Sequence, residues 1–385
     1  MAQIAQTPRL EGDVAEGFEP VRQALAELLA AEPGYSAQLC VYWRGDQVVD
    51  LAGGPALARD SLTGAFSATK GVAAMCIALL VERGELDLDA AVARYWPAFR
   101  KAGKDSLRVR ELLSHQAGLL APPGGLSLEV VLEPSGAEAL AAMRPLWRPG
   151  TAHGYHAFTI GVFMEELVRR ITGDTLQRLY HEEIARTRGV DFFLGLPAAE
   201  LTRWQPTEPQ RPTPEQLEAT PALAIEPDGF TALAVSLNGF DGEARDLIND
   251  PAVRDAGPAA AGGVGSARGL ARAYAACIMD VGGPRLLGED TVAQMAQQHV
   301  WGPDLVLSRT NGFGIVYMKP DPLMPWGSHQ AFGHDGAGGA LGFADPLHDL
   351  AFGYMTQPMY FPGGADQRAI ALSQVVRRTI VSIGG

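Results

Sequence analysis

The stretch FSATKGVAAMCIALLVERG, residues 66–84, decides how the rest of the chain is read. Ser67 and Lys70 stand three positions apart, and Val72 to Val81 is almost wholly apolar before Glu82, Arg83 and Gly84 close the run. This pattern predicts a helix from Ser67 to Arg83, with Gly84 as its left-handed cap. With no polar face, such a helix is expected to be buried on several sides. Its apolar part stops far short of the roughly 20 residues that a membrane span needs, so no transmembrane helix is expected.

On a helix, residues i and i+3 share a face, which brings the Ser67 hydroxyl and the Lys70 amine within hydrogen-bond reach. A serine hydroxyl is a weak nucleophile until a neighbour takes its proton. Lys70 can take it when burial disfavours the charged amine. The helix N-terminus adds partial positive charge and free amides that suit a developing oxyanion. Taken alone, the same four residues also fit a capping serine and a lysine that snorkels to the surface.

Two further segments bear on that choice. Trp147, Arg148, Pro149 and Gly150, then Gly154, Tyr155, His156 and Ala157, place a tyrosine on a glycine-rich loop just before a helix. A phenol with its ordinary pKa near 10 is about 0.1% ionised at pH 7, so full ionisation needs roughly 4 kcal/mol of help. A lysine cation and a helix N-terminus are both suitable sources, and a structural donor is the plainer role. Gly333, His334, Asp335, Gly336, Ala337, Gly338 and Gly339 lie between strand-like runs. They form either a plain Asp-Gly turn or a place where the Ala337 amide lies beside a substrate carbonyl.

Outward from these segments, apolar residues recur at Phe18, Val21, Leu25, Leu28 and Leu29 with helical spacing. Leu39 to Trp43 and Gln47 to Leu51 flank Arg44, Gly45 and Asp46, a hairpin composition. The chain is therefore expected to open helix, strand, strand. Helices are expected at Val109 to Ser114, Ala137 to Met143, Thr159 to Ile171 and Thr175 to Ala185, punctuated at Pro122 to Gly125 and Pro149 to Gly150. Six prolines between Trp204 and Asp228 suggest a long connecting segment and a domain seam. A helix around Ala267 to Met279 precedes strands at Gly312 to Met318, Gln330 to His334, Gly339 to Phe343 and Leu350 to Met355. A closing helix runs over Asp366 to Ile383. Strands and helices at both ends with helices between suit an α+β fold, an antiparallel sheet carrying an inserted helical domain, and not a doubly wound parallel sheet. The expected division is 1–85 with 230–385 for the sheet domain and 86–229 for the insert.

Composition narrows the function. With 385 residues, 47% of them hydrophobic and 19% charged, the chain has ample material for a large core. A net charge of −13 disfavours binding to nucleic acid or to an anionic membrane. Cys40, Cys76 and Cys277 are too few and too scattered for a disulfide framework or a thiolate metal site. Met1 to Phe18 carries Glu11, Asp13 and Glu16 and lacks a basic start with an apolar stretch, so a cytoplasmic location is expected. No GxSxG, HExxH, CxxC or phosphate-binding loop is present. Ser114 and His115 are neighbours that point apart on a helix end and read as structural. Trp301, Trp326 and Phe332 either line an acyl pocket or belong to the core.

Ser67, Lys70, Tyr155 and His334 to Gly336, in this order and at these separations, resemble the three motifs of the serine β-lactamase and penicillin-binding superfamily, most closely its class C β-lactamase-like family VIII carboxylesterases. Gly17 to Ala24, Val48 to Gly54, Arg83 to Ala90, Tyr95 to Pro97 and Val109 to Leu119 extend the resemblance. It implies a β-lactamase/DD-peptidase-like fold with terminal helices flanking the sheet and the active site where the sheet and the helical insert meet. It also implies attack by Ser67, proton transfer shared by Lys70 and Tyr155, an oxyanion hole of the Ser67 and Ala337 amides, and substrate contacts from His334, Gly336 and Ala337. No cofactor or metal is implied, and the partner is a small ester. Which of Lys70 and Tyr155 is the base stays open.

Lactamases of this superfamily usually carry Tyr-x-Asn and Lys-Thr-Gly where this chain has Tyr155, His156, Ala157 and His334, Asp335, Gly336. Ala157 has no side-chain amide to donate, and a histidine mostly neutral at pH 7 anchors a carboxylate poorly. Both departures favour small uncharged esters, hydrolysed by a carboxylesterase with short-chain preference. A β-lactamase or peptidase, an acyltransferase, and a non-catalytic acyl-ligand binding or regulatory protein are the alternatives.

Overall fold

A computed structural model of the chain describes residues 10–122, 125–133, 135–220, 226 and 229–384. Six antiparallel strands form the main sheet: β1 Leu10–Val14, β2 Ser36–Trp43, β3 Asp46–Gly53, β4 Phe332–Asp335, β5 Leu341–Asp345 and β6 Leu350–Gln357. Their spatial order is β1-β3-β2-β6-β5-β4, so the first strands and the last meet at the centre, with Leu39 opposite Tyr354. The hairpin between β2 and β3 turns on Arg44 and Gly45, both left-handed at φ 53° and 92°, the conformation that a two-residue turn needs to follow strand twist.

Successive side chains of a strand face opposite ways, and the two faces carry different helices. Leu39, Val41, Phe352 and Tyr354 join α1 Glu19–Ala31 and α5 Gln367–Gly384 in one core. Cys40, Tyr42, Ala351 and Met355 join α2 Ala68–Glu82 and α4 Ala267–Ile278 in the other. Gly353 permits the close approach of α4, since a Cβ there would lie 2.2 Å from the Ala267 carbonyl oxygen. The α2 helix is buried from Ala68 to Leu80, as its lack of a polar face predicts. Helix α3, Thr159–Thr172, packs on it from the helical region. No described helix is long and apolar enough to cross a membrane.

One expectation needs correction. The described part of the chain opens with a strand, not a helix: β1 precedes α1 and pairs with β3 from Leu10↔Gly53 to Val14↔Val49. Only residues 10–18 of the first eighteen lie within the described part. Within residues 230–257, Leu237, Leu247 and Val253 share a core with Ala121, Leu126 and Val131 of the helical region. Part of the expected seam and of the Pro122 to Gly125 punctuation lies outside the described residues. The connecting segment also holds a short helix, Pro214–Ala219.

Two short strands fix the entry to α2. Thr63–Gly64 and Phe192–Leu194 both pair antiparallel with Gly263–Gly265. The Ala65 amide donates to the Gly263 carbonyl at 2.9 Å, and the Gly263 amide donates to the Thr69 hydroxyl at 2.9 Å. The loop before Gly263 is thereby bound to the first turn of α2.

Candidate active site

Phe66 has a left-handed backbone, φ 51°, and Ser67 then enters the helical region at φ −65°, ψ −13°. A bulky side chain with positive φ is strained, and the kink delivers Ser67 at the helix start. The Ser67 hydroxyl makes no capping bond to the backbone, so the plainer role of a helix cap is not the one it plays. It accepts instead from Lys70 Nζ at 2.9 Å and shares a hydrogen bond with the Tyr155 side chain.

Lys70 is fully buried, and its second bond runs to the Ala260 carbonyl at 2.8 Å. Its ammonium lies 5.0 Å from the centre of the Tyr155 ring. Burial lowers its pKa to about 7, against an opposing pull from the Asp335 carboxylate. Desolvation penalises the charged amine by more than the Asp335 carboxylate compensates. Burial pushes the Tyr155 phenol well up from its ordinary value, with the Ser67 hydrogen bond pulling the other way. Tyr155 stays a neutral phenol while Lys70 can lose its proton.

Three consecutive amides hold the tyrosine loop. Gly154 donates to the His115 carbonyl at 3.1 Å, Tyr155 to Asp304 Oδ1 at 3.1 Å, and His156 to His115 Nδ1 at 3.0 Å. His156 binds Gly154 through its own Nδ1 and accepts from the Leu119 amide at Nε2. The Tyr155 ring stacks on Phe313 with centres 6.1 Å apart.

The third segment crosses from β4 to β5 in a tight turn. A Cβ at Gly336 would stand 2.3 Å from the Ala65 carbonyl oxygen, and one at Gly338 would stand 2.5 Å from the Phe66 ring. Glycine is therefore needed where this turn rests on the residues just before Ser67. Ala337 lies in the turn itself, exposed, past the end of the strand. Neither its amide nor that of Ser67 has an acceptor among the described residues. His334 is fully buried beside Tyr155, ring centres 5.9 Å apart, with Nδ1 bound to the Asp335 carbonyl at 2.7 Å. Burial and then the Lys70 charge lower its pKa to about 3, so its ring is neutral.

Other expectations divide. Trp326 and Phe332 are core residues, packed 4.9 Å from Phe343 and from Tyr317, and Trp301 is exposed on a separate two-stranded ribbon. The Ser114 hydroxyl is spent on the Arg110 carbonyl at 2.6 Å. Phe66, the residue before Ser67, belongs to a small apolar cluster with Ile248, Ala261 and Met359, flanked by Phe158 and Trp204. Phe66 and Phe158 adjoin the motifs and were findable there, whereas Ile248 and Met359 carry no signal in sequence. A cavity of about 500 Å³ lined by Ile278, Arg285, Glu289, His329 and Gln330 touches none of these residues. Cys40, Cys76 and Cys277 are free and buried.

Comparison with known proteins places this geometry in context. A sequence model of the protein family described as Beta-lactamase matches residues 21–376. EstA from Arthrobacter nitroguajacolicus Rue61a, a solved structure, is 45% identical and superposes with a TM-score of 0.90 over 97% of this chain and 99% of its own. A solved family VIII carboxylesterase is 31% identical, with a TM-score of 0.86 over 96% of this chain and all (100%) of its own. The Mycobacterium tuberculosis protein described as Esterase/beta-lactamase LipL is 32% identical over 374 residues, 92% of this chain and 84% of its own length.

Proposed function

We propose, for a chain that belongs to the Beta-lactamase family and acts as a hydrolase on esters, that it cleaves short-chain acyl esters through an acyl-enzyme on Ser67. The observation that carries this reading is the Lys70 amine 2.9 Å from the Ser67 hydroxyl. It is buried and able to be neutral near pH 7. Neutral Lys70 takes the Ser67 proton as Oγ attacks the ester carbonyl, and the Ser67 and Ala337 amides receive the oxyanion. Lys70, now an ammonium, passes a proton through the Tyr155 hydroxyl to the leaving alkoxide as the ester C–O bond breaks. Water then attacks the acyl carbonyl, giving its proton back along the same route, and Ser67 is restored as the acid departs.

Substrate preference follows from what flanks the serine. Phe66, immediately before the serine, belongs to an apolar cluster with Ile248 and Met359, flanked by Phe158, a surround suited to an uncharged acyl group. Ala157 has no donor for an acylamino group, and buried, neutral His334 offers no charge to a carboxylate. Uncharged esters lose nothing by either absence, whereas anionic lactams lose two contacts. The three buried free thiols accord with a cytoplasmic location, which belongs to the same proposal.

Hydrolysis of p-nitrophenyl butyrate beside a chromogenic cephalosporin, for the wild type and Ser67→Ala, tests the reading. The ester is expected to be cleaved much faster, and the substitution to abolish turnover and labelling by a fluorophosphonate. A cephalosporin preferred over the ester would overturn the substrate argument, and an unaltered Ser67→Ala enzyme would overturn the nucleophile.

A further inference from the structure

We propose that His115 is the positioning residue of Tyr155, setting the angle at which the phenol meets Ser67; this rests on the esterase reading above. Its ring makes no hydrogen bond to Ser67, Lys70 or the Tyr155 hydroxyl among the described residues. Both amides flanking Tyr155 nevertheless end on it, Gly154 on its carbonyl at 3.1 Å and His156 on its Nδ1 at 3.0 Å. The ring itself lies 5.1 Å from that of Tyr155 and 4.4 Å from that of Phe313. One residue thus fixes the tyrosine before, after and from the side.

Two features mark this as more than packing. His115 is left-handed at φ 63°, a conformation uncommon outside glycine in which Asn, Asp and His are enriched. The backbone must turn there for the carbonyl and Nδ1 to face the same loop. Because Nδ1 accepts, the ring proton sits on Nε2, and that nitrogen is buried without a hydrogen-bond partner among the described residues. An unpaired buried donor is a cost, tolerated here where the other ring nitrogen does the holding. Protonation would destroy the acceptor. Burial holds its pKa well below the ordinary value, so Nδ1 keeps its lone pair.

A graded set of variants separates positioning from bulk. Asn places Oδ1 where His has Nδ1 and also accepts positive φ, whereas Gly keeps only the backbone conformation. Displacing a catalytic group by about 1 Å can cost on the order of 10²-fold. His115→Gly is therefore expected to lower kcat on p-nitrophenyl butyrate by about that factor while leaving KM within a few-fold, and His115→Asn to recover about tenfold or more. Combined with Tyr155→Phe, His115→Gly is expected to add no further loss, because its effect passes through the phenol. Equal activity of the Gly and Asn variants, or additive losses in the double variant, would overturn the proposal while the esterase reading stands. Should His115→Gly not fold, kcat of His115→Asn decides: within about tenfold of wild type supports the role, and a hundredfold loss overturns it. A wild type inactive on esters removes the parent reading and this proposal with it.

Discussion

Lys70 and Tyr155 approach one hydroxyl from two sides, yet burial drives their proton affinities in opposite directions, because charging costs the lysine its solvation and ionising costs the tyrosine the same. With Lys70 down to about 7 and Tyr155 raised, the working state near neutrality is a free amine beside an intact phenol. On the mechanism proposed above activity needs the amine unprotonated, so kcat/KM for ester hydrolysis is expected to rise with pH through about 7 and then level, a limb measurable with a neutral ester whose own charge does not change. Lys70→Arg, charged at every such pH, is expected to lose on the order of 10²-fold to 10⁴-fold and the limb with it. The same shift has a stability consequence. Between about 7 and the ordinary 10.5 the unfolded chain binds a proton that the folded one does not, so this group makes stability rise with pH across that window. Ser67, Lys70 and Tyr155 stood out in sequence because chemistry constrains residue type and spacing together. His115 did not, since its partner His156 lies 41 residues further along and adjacency to Ser114 suggested only a helix end.

Helix α3 carries the tyrosine loop at its start and touches the lysine's support at Gly161. A Cβ there would lie 2.6 Å from the Ala260 amide nitrogen and 2.8 Å from its Cβ, and the carbonyl of the same Ala260 binds Lys70. Gly161→Ala must push this backbone away. It is expected to cost about 1–3 kcal/mol in denaturant unfolding and to lower kcat about tenfold or more by loosening Lys70; wild-type kcat in a folded variant would show that Ala260 does not hold the amine in place. At this scale the long periodic elements were legible, and α1, α2, α3 and α5 fall where apolar spacing put them. Strand β1 was not, because LEGDV has no alternation and lies half-exposed at the sheet edge. Gly12, left-handed at φ 102°, breaks the pattern further. What makes β1 a strand is the open edge of β3, information that resides in another part of the chain.

Over the whole molecule, the two ends of the described chain are fastened to each other as well as to the sheet. Asp366 is fully buried, accepts from Tyr354 at 2.8 Å and receives Arg368 through Nε at 2.9 Å and Nη2 at 2.9 Å. Arg368 in turn covers the Tyr35 ring at 4.0 Å and reaches Glu32. Removing one partner of such a buried pair leaves the other uncompensated. Asp366→Ala is expected to cost about 3–5 kcal/mol by denaturant titration, with little change in kcat of the molecules still folded, since the cluster lies on the sheet face away from α2. Sequence order alone suggested that terminal elements share one layer, as they do. Chain position gives no sign that residues 230–257 pack with residues 121–132, because that contact joins segments about a hundred positions apart.

The pairing of β2 with β6 joins residues as far apart as Ser36 and Thr356, 320 positions along the chain. A ribosome adding about 5–20 residues per second needs tens of seconds to cover that distance. Through most of that interval β2 has β3 on one side only, since β6 and the turn bearing Ala337 do not yet exist. On the mechanism proposed above, Ser67 and Lys70 emerge early without the Ala337 amide and without the completed sheet that buries α2, so Lys70 keeps its proton and the serine stays unreactive. The growing chain would then be in effect its own zymogen, its ester cleavage waiting until the last strand has been made and has found its place.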